Sequence, residues 1–125
     1  MVKNTSLTAA EESLAKLVWQ NAPMPSSKLV ELANHTLHWK KSTTYTILKR
    51  LCEKGVFKNE NAVVTVLMTH EALVAQQSRR YVEDTFGGSL PRFIASFIGS
   101  GKKLTAQQAA EIKQIVDAYE ETDDE

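Results

Sequence analysis

A mainly α fold with one small β-hairpin is predicted by helical periodicity up to Gly55, two β-branched runs between Val56 and Met68, and a return to helical periodicity from Thr69. The arrangement expected is a winged helix-turn-helix domain over residues 1–70, followed by a helical dimerisation segment over residues 71–125.

The first helix is announced by Leu7 and Thr8-Ala9-Ala10-Glu11, a capping box with an apolar residue ahead of it. In such a box the threonine hydroxyl and the glutamate carboxylate satisfy two backbone amides that the helix leaves free. Ala10, Leu14, Leu17 and Val18 then fall on one face, and the helix should run to about Gln20 before Pro23 and Pro25 stop it. Ser26 or Ser27 is placed to cap a short second helix whose apolar side is Leu29, Leu32 and Ala33. A turn is expected from His35 to Trp39. The third helix begins around Ser42, buries Thr44, Ile47, Leu48 and Leu51, and ends at Gly55, where a left-handed residue commonly closes a helix.

Beyond Gly55, Val56–Asn61 and Ala62–Met68 read as the two strands of a hairpin around an asparagine-containing turn. Leu73, Val74, Tyr81, Val82 and Phe86 mark a long helix that Gly87-Gly88 terminates. Ser89 caps a shorter one carrying Leu90, Phe93, Ile94, Phe97 and Ile98, a dense apolar stripe at helical spacing. Gly99-Ser100-Gly101 breaks it. A second capping box, Thr105-Ala106-Gln107-Gln108 after Leu104, starts a last helix with Ala109, Ile112, Ile115, Val116 and Tyr119. The acidic end, Asp117 to Glu125, is expected to fray.

With 125 residues the chain makes one ordinary domain or two small ones, and small domains bury little surface, so a partner subunit would help. At 42% hydrophobic and 24% charged it is globular in composition. The formal net charge of zero hides a dipole. Residues 1–58 hold nine Lys/Arg against four acids, a net +5, and residues 59–125 hold six against eleven, a net −5. Asymmetry of this kind points to nucleic-acid binding by the basic half, although two ordinary solvated faces would read the same way. Cys52 is the only cysteine, which excludes an internal disulfide and a cysteine-rich zinc cage and fits a reducing cytoplasm. No apolar run approaches the ~18 residues of a membrane span, so no membrane insertion is expected and the localisation expected is cytoplasmic.

The chemistry concentrates in Trp39 to Gly55. A helix that reads DNA buries one side and offers short polar and basic groups on the other. With Thr44, Ile47, Leu48 and Leu51 inside, Ser42, Thr43, Tyr45, Thr46, Lys49 and Arg50 project outward. Hydroxyls there can approach base edges, threonine methyls can pack on thymine methyls, and Lys40 and Lys41 suit the flanking phosphates of double-stranded DNA. A plain amphipathic surface helix is the competing reading. The later helices supply a homodimer interface from Tyr81, Phe86, Leu90, Phe93, Ile94, Phe97, Ile98, Ile112, Ile115, Val116 and Tyr119.

His35 and His38 lie three apart with no third ligand nearby, so neither metal nor cofactor is expected; they read as turn and capping groups. Cys52 reads as a small core residue, and Trp19 and Trp39 as core and cap anchors. Nothing in the chain resembles a nucleophile elbow, a phosphate loop, an HExxH helix or a paired-carboxylate site, and an enzyme is the least favoured class. The rival to a DNA-binding regulator is a winged helix used for protein–protein interaction without specific DNA binding.

Over nearly its whole length the chain resembles the penicillinase-repressor family of BlaI/MecI/CopY type. The resemblance is carried by LTAAEESLAKLVW, WKKSTTYTILKRLCEKG, FGG and LTAQQAAEIKQIVD, and most specifically by Trp39-Lys40-Lys41-Ser42-Thr43-Thr44 with Arg50-Leu51 and Lys54-Gly55. It implies a bacterial winged-helix repressor that binds an inverted-repeat operator as a homodimer. In the β-lactam-resistance branch, a membrane sensor-protease system relieves repression by causing the repressor to be cut in its dimerisation segment. Here the matching segment is Phe93-Ile94-Ala95-Ser96-Phe97-Ile98, and its candidate cleavage pair is Ser96 and Phe97, with serine where those repressors have asparagine. The copper-responsive branch carries a C-terminal cysteine motif that this chain lacks, and Glu60 sits in a wing better served by basic or small residues.

Overall fold

The computed structural model describes residues 6–101 and 103–121. In chain order its elements are α1 (Ala9–Asn21), β1 (Met24–Pro25), α2 (Ser26–Leu37), α3 (Lys41–Glu53), β2 (Phe57–Glu60), β3 (Val63–Val66), α4 (His70–Phe86), α5 (Leu90–Ile98) and α6 (Ala106–Tyr119). The chain is thus mainly helical with a small antiparallel sheet, and it divides into two compact units, Met1–Tyr81 and Val82–Glu125.

In the first unit, Thr8 caps α1 as its sequence requires: the Glu11 amide donates to the Thr8 hydroxyl (3.1 Å), and the Thr8 amide to the Glu11 carboxylate (2.9 Å). Leu14 and Val18 of α1 meet Leu29 and Ala33 of α2 and Ile47, Leu48 and Leu51 of α3, all buried. Val56, Phe57 and Val64 close this core from the sheet side. Trp19 fastens the far edge. Its indole N–H donates to the Met68 carbonyl (3.0 Å), its ring meets Phe57 edge-on and it stacks on His70 at 4.7 Å.

The strands run in the order β1-β3-β2, with Met24 opposite Val64 and Phe57 opposite Val66. The hairpin β2–β3 is as expected, but the edge strand β1 is not, since Pro23 and Pro25 read in the sequence only as helix stops. An edge tolerates proline because one side of the strand owes no ladder hydrogen bond. Asn61 and Ala62 both take positive φ (54° and 60°), the two-residue hairpin geometry that matches strand twist. Ala62 is held there partly by its carbonyl, which accepts from the Ser26 amide at 2.8 Å.

Three boundaries differ from expectation. Ser26 is the first residue of α2, not its cap; it is buried, and its hydroxyl shares a hydrogen bond with that of Tyr45 (3.3 Å). The helix α2 also runs through His35 to Leu37, so the expected turn shrinks to His38 in the left-handed conformation (φ 60°). The helix α3 begins at Lys41, one residue before the expected start.

In the second unit, Ser89 caps α5, Thr105 and Gln108 form the second capping box of α6, and Gly87 and Gly88 both take positive φ after α4. Phe86 meets Phe93 edge-on at 5.5 Å. No residue of α5 or α6 is buried within the chain. Asp117 lies inside α6, while the last residues expected to fray, 122–125, lie outside the described residues.

Candidate nucleic-acid interface

The helix α3 is pinned by its inner face and free on its outer one. Thr44, Ile47, Leu48 and Leu51 are buried, and the Thr44 hydroxyl donates back to the Lys40 carbonyl (3.2 Å). Ser42, Thr43, Thr46, Lys49 and Arg50 are all exposed, at positions that share one side of a 3.6-residue helix. Tyr45 departs from the outward projection expected of it. Its ring packs partly against the core and its hydroxyl is engaged by Ser26, so it is half-buried between α2 and α3.

The amino end of α3 is electrostatically unusual. Lys40, the N-cap residue, makes no side-chain cap, and the first turn holds no acid; Lys41 is its first residue and both lysines are exposed. Unsatisfied amides, the positive end of the helix dipole and two ammonium groups coincide, an arrangement that is unfavourable alone and favourable beside an anion. A tight connection leads into it: His38 closes α2, and the Asn34 side chain donates to the Trp39 carbonyl (3.2 Å).

At the other end, Lys54 closes α3. Its ammonium donates to Glu11 Oε1 (2.6 Å) and to the Ser6 carbonyl (2.8 Å). Burial pushes the Glu11 carboxyl up, but the hydrogen bonds from Lys54 and Thr8, with the charges of Lys54 and Arg50, outweigh it and hold the pKa below the ordinary carboxylate value. Sequence reasoning misses this pair. Glu11 is legible only as a capping residue, and no local signal announces a partner 43 residues away.

On the wing, the Lys58 ammonium pairs with the Glu60 carboxylate at 3.0 Å, both exposed. Cys52 is half-buried, with its thiol pKa raised by burial and, less, by Glu53, against an opposing hydrogen bond from the Asn59 backbone. Among the described residues no three His, Cys, Asp or Glu side chains cluster to hold a metal ion, and no helix is long and apolar enough to cross a membrane. The apolar residues expected at a dimer interface stay accessible in the single chain. Tyr81, Leu90, Phe97, Ile112, Ile115, Val116 and Tyr119 are exposed, and Phe86, Phe93, Ile94 and Ile98 are half-buried.

Three packed helices, the last two joined by a tight turn, and a β2–β3 wing make this a winged helix-turn-helix protein. The chain belongs to the penicillinase-repressor family, whose model, described as Penicillinase repressor, matches residues 7–118. That is a family of transcriptional repressors and not of enzymes. Comparison with individual curated proteins returned no match.

Proposed function

We propose that this chain represses transcription by binding an inverted-repeat operator as a homodimer, with residues 1–70 reading DNA and residues 71–125 joining the two copies. The observation that carries the reading is the outer face of α3. Ser42, Thr43, Thr46, Lys49 and Arg50 are exposed together, beside an uncapped amino end with Lys40 and Lys41. Such a face complements a major groove: hydroxyls and Arg50 meet base edges while the lysines and helix amides meet phosphates. Tyr45 serves this face from behind, through its bond to Ser26, more than as a direct base contact.

Dimerisation is supported by α5 and α6, none of whose apolar residues is fully buried within the single chain. Burying each large one against a second copy is worth ~1.5–3 kcal/mol. Repression would be relieved by cutting at Ser96-Phe97 through a membrane sensor-protease system. Both residues are exposed, and α5 ends just beyond them, with Gly99 as its C-cap.

Electrophoretic mobility with a duplex selected by the protein from a random-sequence pool, against a random duplex of equal length, tests the reading. Preference for the selected duplex of ~10³-fold or more is expected of specific binding. Equal affinity for both would leave the winged helix as a protein–protein module, a role that the self-paired Lys58 and Glu60 of the wing would also suit.

A further inference from the structure

We infer that Glu11, acting through Lys54, is a positioning residue for DNA reading: the ion pair between the buried Glu11 at the start of α1 and the half-buried Lys54 at the end of α3 sets how α3 is seated and so how Thr43, Thr46, Lys49 and Arg50 are presented. This rests on the reading of α3 as the DNA-reading helix.

The geometry is a three-way junction. Glu11 is 2% exposed, and the same Oε1 that accepts from the Thr8 amide (2.9 Å) accepts from the Lys54 ammonium (2.6 Å), which also donates to the Ser6 carbonyl (2.8 Å). The other attachments of α3 to the core are mainly apolar: Ile47, Leu48 and Leu51. Apolar packing is non-directional and tolerates small rotations and slips along the helix axis. A charge-assisted hydrogen bond tolerates far less, since it weakens steeply with distance and angle. Buried ion pairs are weak sources of net stability compared with apolar replacements, and their better-attested use is to specify one arrangement among near-equal ones.

Charge balance points the same way. The second cation whose charge acts on Glu11 is Arg50, one of the exposed residues of the reading face. Lys54, itself half-buried, neutralises Glu11 and leaves Arg50 to face outward. Without it, the carboxylate would draw on Arg50.

The test compares wild type with Glu11→Gln/Lys54→Met and Lys54→Arg, using a duplex selected by wild type and a random duplex of equal length. The double variant leaves no lone buried charge, and the amide oxygen of the introduced glutamine still serves the Thr8 amide. It should stay folded by circular dichroism yet lose discrimination between the duplexes by on the order of tenfold, the size of one weakened base contact. Its salt dependence should be unchanged, because no phosphate contact is removed. Lys54→Arg should restore most of the discrimination. Should the double variant melt below the assay temperature, Glu11→Gln/Lys54→Gln, which keeps a donor at position 54 and strands no charge, carries the same comparison. Full discrimination in the uncharged variant overturns the inference, as does a salt slope lowered by about one unit, which would make Lys54 a direct phosphate contact. Wild type that does not discriminate sinks this inference together with the DNA reading; wild-type discrimination with an unaffected variant sinks this inference alone.

Discussion

Thr43 and Lys41 are neighbours on one helix turn, yet they should fail differently when truncated. Thr43→Ala or Thr46→Ala removes a hydroxyl and methyl from the exposed face and should cost ~1–3 kcal/mol of discrimination where a base contact is lost. Lys41→Ala should weaken selected and random DNA alike and flatten the salt dependence by about one unit. Titrations at two salt concentrations separate the two effects, and threonine variants with undiminished discrimination would move base reading off α3. Tyr45→Phe keeps the ring against the core and loses only the bond to Ser26, so its effect should be smaller than that of either threonine. Glu11 adds a pH signature. Its pKa is lower folded than unfolded, so its pairing contributes stability that is full above the unfolded value near 4.5 and is lost as pH falls through the lower folded one. Glu11→Gln should therefore be the less stable protein at pH 7, with the gap in melting temperature closing below about pH 4.5. A gap that ignores pH would mean that the carboxylate charge has no part in the pair.

Among the elements, α3 and α5 show two kinds of incompleteness. The amino end of α3 gathers positive charge without a side-chain cap or an acid in its first turn, so it is suited to an anion. The helix α5 gathers Phe93, Ile94, Phe97 and Ile98 without burying any of them. Phe97 is 68% exposed although its ring lies 6.3 Å from that of Phe93, so the single chain covers one aromatic with another and leaves the second in solvent. Phe97→Asp should cost the single chain little, because nothing is buried there, but it would place a carboxylate in the apolar seam of a dimer. Sedimentation equilibrium should show this variant moving toward monomer at micromolar concentration, with the melting of the first unit unaltered. A variant that stays dimeric would put the interface elsewhere, on α6 or outside both helices. The wing is a third case: Lys58 and Glu60 satisfy each other, and exposed pairs of this kind are worth little, so DNA could separate them at small cost.

At the scale of the molecule the two units answer to different constraints. The first has a closed core and an exposed polar and basic face on α3; the second has capped helices and an open apolar face. If each copy reads one half-site, holding two copies together turns the second contact into an effectively intramolecular one, and losing that link can cost ~10²–10⁴ in apparent affinity. A chain ending at Ser96 keeps every residue of the first unit and loses the last residues of α5 and all of α6. It should remain folded in its first unit and bind a full palindrome little better than a half-site. Binding as tight as that of the intact chain would detach repression from the C-terminal helices and, with it, relief by cleavage at Ser96-Phe97.

What the sequence alone determined is whatever short-range chemistry controls. Capping boxes at Thr8 and Thr105, the Ser89 cap, the glycine stop at Gly55 and the apolar periodicities of α1, α3 and α5 lie within a few residues of the structure they specify, and all appear in it. The hairpin was legible for the same reason, since β-branched runs around a turn need no distant partner to be recognised. Four things needed the tertiary structure. The strand β1 exists because Met24 and Pro25 find β3 about forty residues on, and two residues with a proline carry no strand signal of their own. Ser26 sits inside α2 instead of capping it, with its amide donating to the Ala62 carbonyl and its hydroxyl in a bond with that of Tyr45. The same bond turned Tyr45 inward from a position that periodicity alone assigns to solvent. The pairing of Glu11 with Lys54 is visible only once α1 and α3 are packed, because neither charge differs in its local sequence from the solvated ones beside it, and burial, which makes the pair matter, is a property of the assembled core.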